Sequence, residues 1–251
     1  NIVLDSNSRI SLSNNTASSS SNNTVFGYLS GNSIASGGNN NSLYGHQAGT
    51  AVSTGDQNLC IGYNTGESLS TGSDNTLVGT NAGKGFDAES EITAVGKDAF
   101  SGSGAAVGVT ALGYQAMTAA TTTDANYSTA LGHSALKALT SGIGNVAVGY
   151  QTLDAEDDGD KSTAVGYQAL TAQTGTTGTV ANVAIGYQAG DSITTGIENT
   201  IVGTFSDIGA VNGQNQTVLG CGAIAQGNNT VTLGNSSVTD VYMAQDSGAL
   251  V

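Results

Sequence analysis

One glycine recurs along nearly the whole chain. Aligning the segment Thr-Ala-Val-Gly-Tyr-Gln-Ala-Leu (residues 163–170) with its relatives places a central glycine at Gly27, Gly45, Gly62, Gly79, Gly96, Gly113, Gly132, Gly149, Gly166, Gly186, Gly203, Gly220 and Gly234. Eight of the twelve intervals are 17 residues and the others are 18, 19, 20 and 14, so the chain is built from about thirteen repeats of one short unit. A unit of this length cannot bury an apolar face by itself, so its stability must come from stacking on its neighbours. No segment shows the 3.6-residue apolar period of an amphipathic helix. The expectation is an all-β parallel β-solenoid, or β-roll, with each rung holding two strands of about five residues and two corners. At roughly 4.8 Å per rung the rod would be on the order of 60 Å long. Proline is absent, as suits a stack in which every rung needs its ladder hydrogen bonds.

The columns of the repeat carry the physical argument. The residue before each central glycine is always apolar or aromatic, from Phe26 and Tyr44 to Leu219 and Leu233, and is expected to line the core. The residue before that is apolar in twelve of thirteen repeats, commonly alanine (Ala94, Ala111, Ala130, Ala147, Ala164, Ala184). Successive strand residues point to opposite faces, so both faces of the strand are expected to be buried. The third residue after the glycine is small (Ala48, Ala82, Ala116, Ala169, Ala189), which implies close approach by another backbone. The central glycine itself has two compatible readings, a bend within each coil or close packing of parallel copies around a three-fold axis. Gly-x-x-Asn steps such as Gly55–Asn58 and Gly72–Asn75 suit tight corners. The asparagines Asn23, Asn41, Asn58, Asn75, Asn145, Asn182 and Asn199 are placed to form ladders.

Composition narrows the functional classes. Net charge is −14 with only five basic residues, which disfavours nucleic acid as a partner. No apolar run reaches the ~20 residues of a membrane span, so membrane insertion is not expected. Cys60 and Cys221 fall nine rungs apart and give no disulfide framework.

The unit Asn-Val-Ala-Ile-Gly (182–186), with Asn-Val-Ala-Val-Gly (145–149), resembles the head repeats of trimeric autotransporter adhesins. The longer unit Thr-Ala-Val-Gly-Tyr-Gln-Ala-Leu is more similar to repeats in the tail fibres of tailed phages, particularly marine ones. The stretch from Thr230 to Met243 resembles the junction before a self-cleaving chaperone in such fibres, and residues 1–14 resemble the segment leading into the repeats. The resemblance implies a homotrimeric fibre outside the cell, on a virion or a cell surface, that attaches to a host glycan or protein receptor. The organisation expected is an N-terminal lead-in or cap (1–22), the repeat region (23–238) and a C-terminal exit segment (239–251). A bacterial surface adhesin or extracellular filament subunit is the alternative, and a polysaccharide-degrading spike enzyme a third.

Candidate sites are few. The column after the central glycine holds Tyr28, Tyr63, Tyr114, Tyr150, Tyr167 and Tyr187, a strip suited to packing, to inter-chain contact or to facing a glycan. His46 and His133 occupy the same column and read as members of it, not as a metal pair. The acidic run holds Asp154, Glu156, Asp158 and Asp160 around Gly159. It echoes the start of a calcium loop but lacks the carboxylate at the twelfth position, where Val165 stands, so it reads as a solvated corner or a weak calcium site. No other cofactor is implied. A serine nucleophile needs an orienting base and the two histidines lie in remote rungs, so catalysis is not expected.

Overall fold

The computed structural model describes residues 10–11, 22–103, 106–119, 125–175 and 178–241. It is all-β among these residues, with one 14-stranded sheet and a small two-stranded one. The large sheet opens with β1 (Ile10–Ser11), which pairs antiparallel with β2 (Thr24–Phe26). From β2 to β16 (Val231–Leu233) its strands are parallel, in register and consecutive along the chain. The chain is therefore a parallel β-solenoid of about twelve coils. Two short strands, β10 (Gly159–Asp160) and β12 (Gly178–Thr179), pair at one corner. The lead-in and exit segments expected at 1–22 and 239–251 lie largely outside the described residues.

The rung differs from the expected one. Each coil has a single strand of three residues in the main sheet, as in Thr76–Val78 or Thr163–Val165, and reaches around by turns. Within the triplet the middle residue points in and its two neighbours point out. The column expected to line the core is thus on the outside: Phe26, Ile61, Leu112, Leu131 and Ile185 are about half exposed, whereas Val25, Cys60, Ala111, Ala130 and Ala184 are buried. The expectation of two buried faces fails for the same reason. With only three residues between corners, the strand has one inward side chain and the sheet has one layer.

The small residues after the glycine also point inward. Ala48, Ala82, Ala116, Ala169 and Ala189 are fully buried within the coil, so they face the chain's own interior and no second chain. The central glycine is likewise explained within one chain. Gly62 has φ of 140°, and a Cβ placed there would lie 2.6 Å from the carbonyl oxygen of Gly79 in the next rung. Positive φ and backbone contact along the stack both demand glycine.

The interior is filled by an exchange of volume between two positions. In the rungs of Gly27 to Gly79 the inward strand residue is Val25, Leu43, Cys60 or Leu77, and the fourth residue after the glycine is Gly31, Gly49, Gly66 or Gly83. In the rungs of Gly96 to Gly166 the inward residue is alanine, and the fourth position holds Phe100, Met117, Leu136, Leu153 or Leu170, all fully buried. The two sites compete for one space: a Cβ at Gly83 would sit 2.9 Å from Leu77 Cδ1. These large residues keep left-handed backbones, with φ of 50° at Leu136, at a cost of ~1–2 kcal/mol each. Burying a side chain of this size contributes about 1.5–3 kcal/mol, enough to hold the conformation. At Gly186 both positions are small (Ala184, Gly190), and Leu170 and Ile201 from the adjacent rungs close the gap.

Side chains extend the ladders at the corners. Asn41 donates from Nδ2 to the Gly55 carbonyl at 2.8 Å, and its Oδ1 accepts the Asn58 amide at 2.9 Å. Asn58 repeats both bonds with Gly72 and Asn75. The expected asparagine ladder is therefore present, buried and bonded to the next rung. A second ladder, six residues before the glycine, was not anticipated. There Asp56, Ser73, Ser90, Asn126, Asp160 and Asn228 each accept an amide from the rung before.

The volume exchange gives a direct test. Leu136→Gly is expected to destabilise the chain by ~2–5 kcal/mol. Adding Ala130→Leu in the same rung should restore at least half of that, whereas Ala130→Leu alone should overpack the rung. Denaturant unfolding of the double-mutant cycle measures the coupling.

Candidate functional site: an outer face of stacked ladders

The outward strand residues and the residue after the glycine form three parallel columns on one face. The first runs Thr24, Ser42, Leu59, Thr76, Thr93, Thr110, Thr129 and onward to Val231, mostly threonine. The second is the half-exposed apolar column from Phe26 to Leu233. The third is the aromatic column. In-register pairing repeats each column at every rung, because Thr163, Val183 and Thr200 are register partners, as are Val165, Ile185 and Val202. Across all three columns the one charged side chain is Lys97, whose Nζ lies 3.1 Å from Asp98 and 5.3 Å from the Tyr114 ring. None of the three columns holds an acidic residue, although the chain has a net charge of −14.

The aromatic column is a stack. Tyr150 and Tyr167 lie 5.0 Å apart with ring planes at 11°, and Tyr167 and Tyr187 lie 5.0 Å apart at 7°. His46 sits between Tyr28 and Tyr63, and His133 between Tyr114 and Tyr150, at 4.9–5.2 Å. Both histidines are members of the column, as their sequence positions indicate. Thr80 and Lys97 interrupt the stack between Tyr63 and Tyr114. Because each ring covers the face of the next, the strip offers solvent the ring edges and hydroxyls. A sugar ring that stacks flat on an aromatic face finds no free face inside the run from Tyr150 to Tyr187.

The acidic residues singled out at 154–160 do not converge on one point. Asp154 accepts a hydrogen bond from Thr171 Oγ1 at 2.8 Å, and Asp160 accepts the Ile143 amide at 2.7 Å as part of the second corner ladder. Glu156 is fully buried. It occupies an interior column that holds Val52, Leu69, Phe86, Leu139 and Ile193 in other rungs. Its carboxylate accepts the Gly159 amide at 2.7 Å, the Asp158 amide at 3.2 Å and a bond from Gln173 Nε2 in the next rung. Gln173 also bonds Ser162 and Asn182, so the polar residues form a connected network in place of apolar packing. Among the described residues, Glu156, Asp157 and Asp158 bring ligand atoms within 4.8 Å of one another. The grouping thus differs from the alternating one read in the sequence.

Cys60 lies in the inward column, where burial pushes its thiol up to about 12 and keeps it protonated. Cys221 is exposed in the aromatic column. No helix among the described residues is long and apolar enough to cross a membrane. Comparison with family models and with curated proteins finds no match to this sequence.

Burial raises the pKa of Glu156, and the bonds from Gln173, Gly159 and Asp158 only partly oppose it. The folded chain therefore holds this proton more tightly than the unfolded chain. The associated stability is complete below the ordinary glutamate pKa and is lost as pH rises through the raised folded value. Glu156→Gln removes this titration. Thermal unfolding should show a smaller loss of stability between acid and neutral pH in the variant than in the parent chain.

Proposed function

We propose that the chain is a fibre segment that works by shape and surface attachment, assembled from three parallel copies as a phage tail-fibre shaft or receptor-binding segment outside the cell. The observation that carries this reading is the half-exposed apolar column running the length of the rod. Exposed apolar surface of this extent is uncommon on a monomer and is characteristic of an interface. Its repeat matters as much as its polarity. A partner that covers every rung must repeat at the same pitch, and a second copy of the chain does so by construction. The three columns of the face also hold no acidic residue, which eases the self-association of a chain with net charge −14. Three copies rather than two rest on the resemblance of the Val-Ala-Ile-Gly and Val-Gly-Tyr-Gln units to trimeric fibre repeats.

The solenoid supports a mechanical role. Its main-chain hydrogen bonds run along the rod, so each rung is tied to the next by its backbone and, over many of the rungs, by side-chain ladders as well. Attachment to a host-surface glycan or protein would use the exposed corners and loops, with the sheet face committed to assembly. Catalysis has no part in this reading.

Mass measurement under native conditions tests it, with three chains per particle expected. Leu131→Asp together with Ile185→Asp places charges in the middle of the outward column without touching the interior. The pair should reduce the particle to single chains while the circular dichroism spectrum stays β-solenoid. A parent chain that is monomeric at micromolar concentration would remove the assembly claim.

A further inference from the structure

The two ends of the rod are not equivalent. At the end formed by β16, among the described residues nothing pairs with the outer side of the strand. In parallel pairing, alternate residues bond to opposite neighbours. Thr24 and Thr217 each donate their N–H to the following coil, at Asn41 and Thr230, whereas Gly45 and Gly234 donate back to Phe26 and Leu219. Val231 is the register partner of Thr217, so its N–H points past the end of the rod. Val231 is 68% exposed, and an open groove of about 430 Å³ beside it is lined by residues including Ile224, Thr232 and Gly234, where another coil would lie.

At the opposite end, β2 would offer the complementary edge. A second copy placed there would continue the parallel register and the interior column from Thr232 to Val25. Such a contact is heterologous and does not close, so it builds linear polymers. The structure blocks it with a strand of the wrong direction. β1 runs antiparallel across β2, with Ser11 opposite Val25 and Ile10 opposite Phe26. Among the described residues it is the one antiparallel pairing in the sheet, and it occupies the groups that a copy's β16 would use.

We propose that β1 is an end stop: it holds the rod at a fixed length by occupying the β2 edge, which otherwise accepts the β16 edge of a second copy head to tail. The association runs along the rod axis and is independent of the lateral assembly proposed above. Strand edges need such protection because they template further pairing, and solenoids in general need covered ends.

Proline at Ser11 removes a main-chain donor and disfavours the strand. Ser11→Pro in the full 251-residue chain should convert particles of one length into end-to-end rods, seen by electron microscopy, with sedimenting mass that rises with concentration. The pair Ile10→Gly and Ser11→Gly is a milder way to loosen β1 and should act in the same direction. Adding Val231→Pro to either variant removes the outward donor at the other end and should return the particles to the parent length. Rods that stay at the parent length in both β1 variants, with an unchanged circular dichroism spectrum, would overturn the proposal. So would elongation that persists with Val231→Pro. The number of chains side by side is read separately from particle width and from the native mass of the parent, so loss of the lateral assembly and loss of the end stop are distinct results.

Discussion

Everything in this molecule depends on how closely one coil lies upon the next. The central glycines from Gly27 to Gly203 meet the backbone of the following rung at a distance that leaves no room for a Cβ, and their positive φ turns the chain out of the strand at the same point. That contact fixes the stacking distance, and the stacking distance aligns the hydrogen bonds of the sheet. It also brings Asn41 and Asn58 within reach of their neighbours in the next rung. A side chain at the glycine would separate two rungs locally and misalign three sets of ladders at once.

The interior shows how much freedom this constraint leaves. From Gly27 to Gly166 each rung supplies a similar volume of apolar matter, and it does so from the strand or from the turn. Leu77 with Gly83 and Ala130 with Leu136 are two solutions to one requirement. Where the second solution is used, a large residue is held in a left-handed conformation that its own propensity opposes. Packing outweighs the local preference because the alternative is an empty space in a close-packed core.

Much of this was legible in the sequence, and the part that was not has a specific cause. The period, the parallel stack and the asparagine ladder follow from spacing alone. The face of the strand does not. A column of thirteen apolar residues such as Phe26, Ile61 and Leu131 reads as core when burial is taken as the only reason for hydrophobicity, yet it lies outside. Small residues such as Ala116 read as close approach by another backbone, yet they face the interior of their own coil. Two clues to the orientation stood in the sequence: the threonines at the other outward position, and the reciprocal change between the inward strand residue and the fourth residue after the glycine. The acidic run divides for a similar reason. The spacing of a calcium loop suggests shared direction, but Glu156 turns into the core while Asp160 serves a corner ladder. Only the path of the backbone separates them.

The exchange of volume has a consequence for how such a chain can change over generations. Repeats invite duplication, deletion and unequal crossing-over, and their spacing suggests that any unit can replace any other. The interior says otherwise. A unit of the leucine-in-strand kind set among units of the alanine-in-strand kind brings a different filling to its borders, and at Gly186 the join is made by side chains reaching in from both sides. Lengthening the rod by copying whole units should therefore be easiest within a block of one kind. The borders near Gly83 and Gly190 are the seams at which inherited pieces fit least freely.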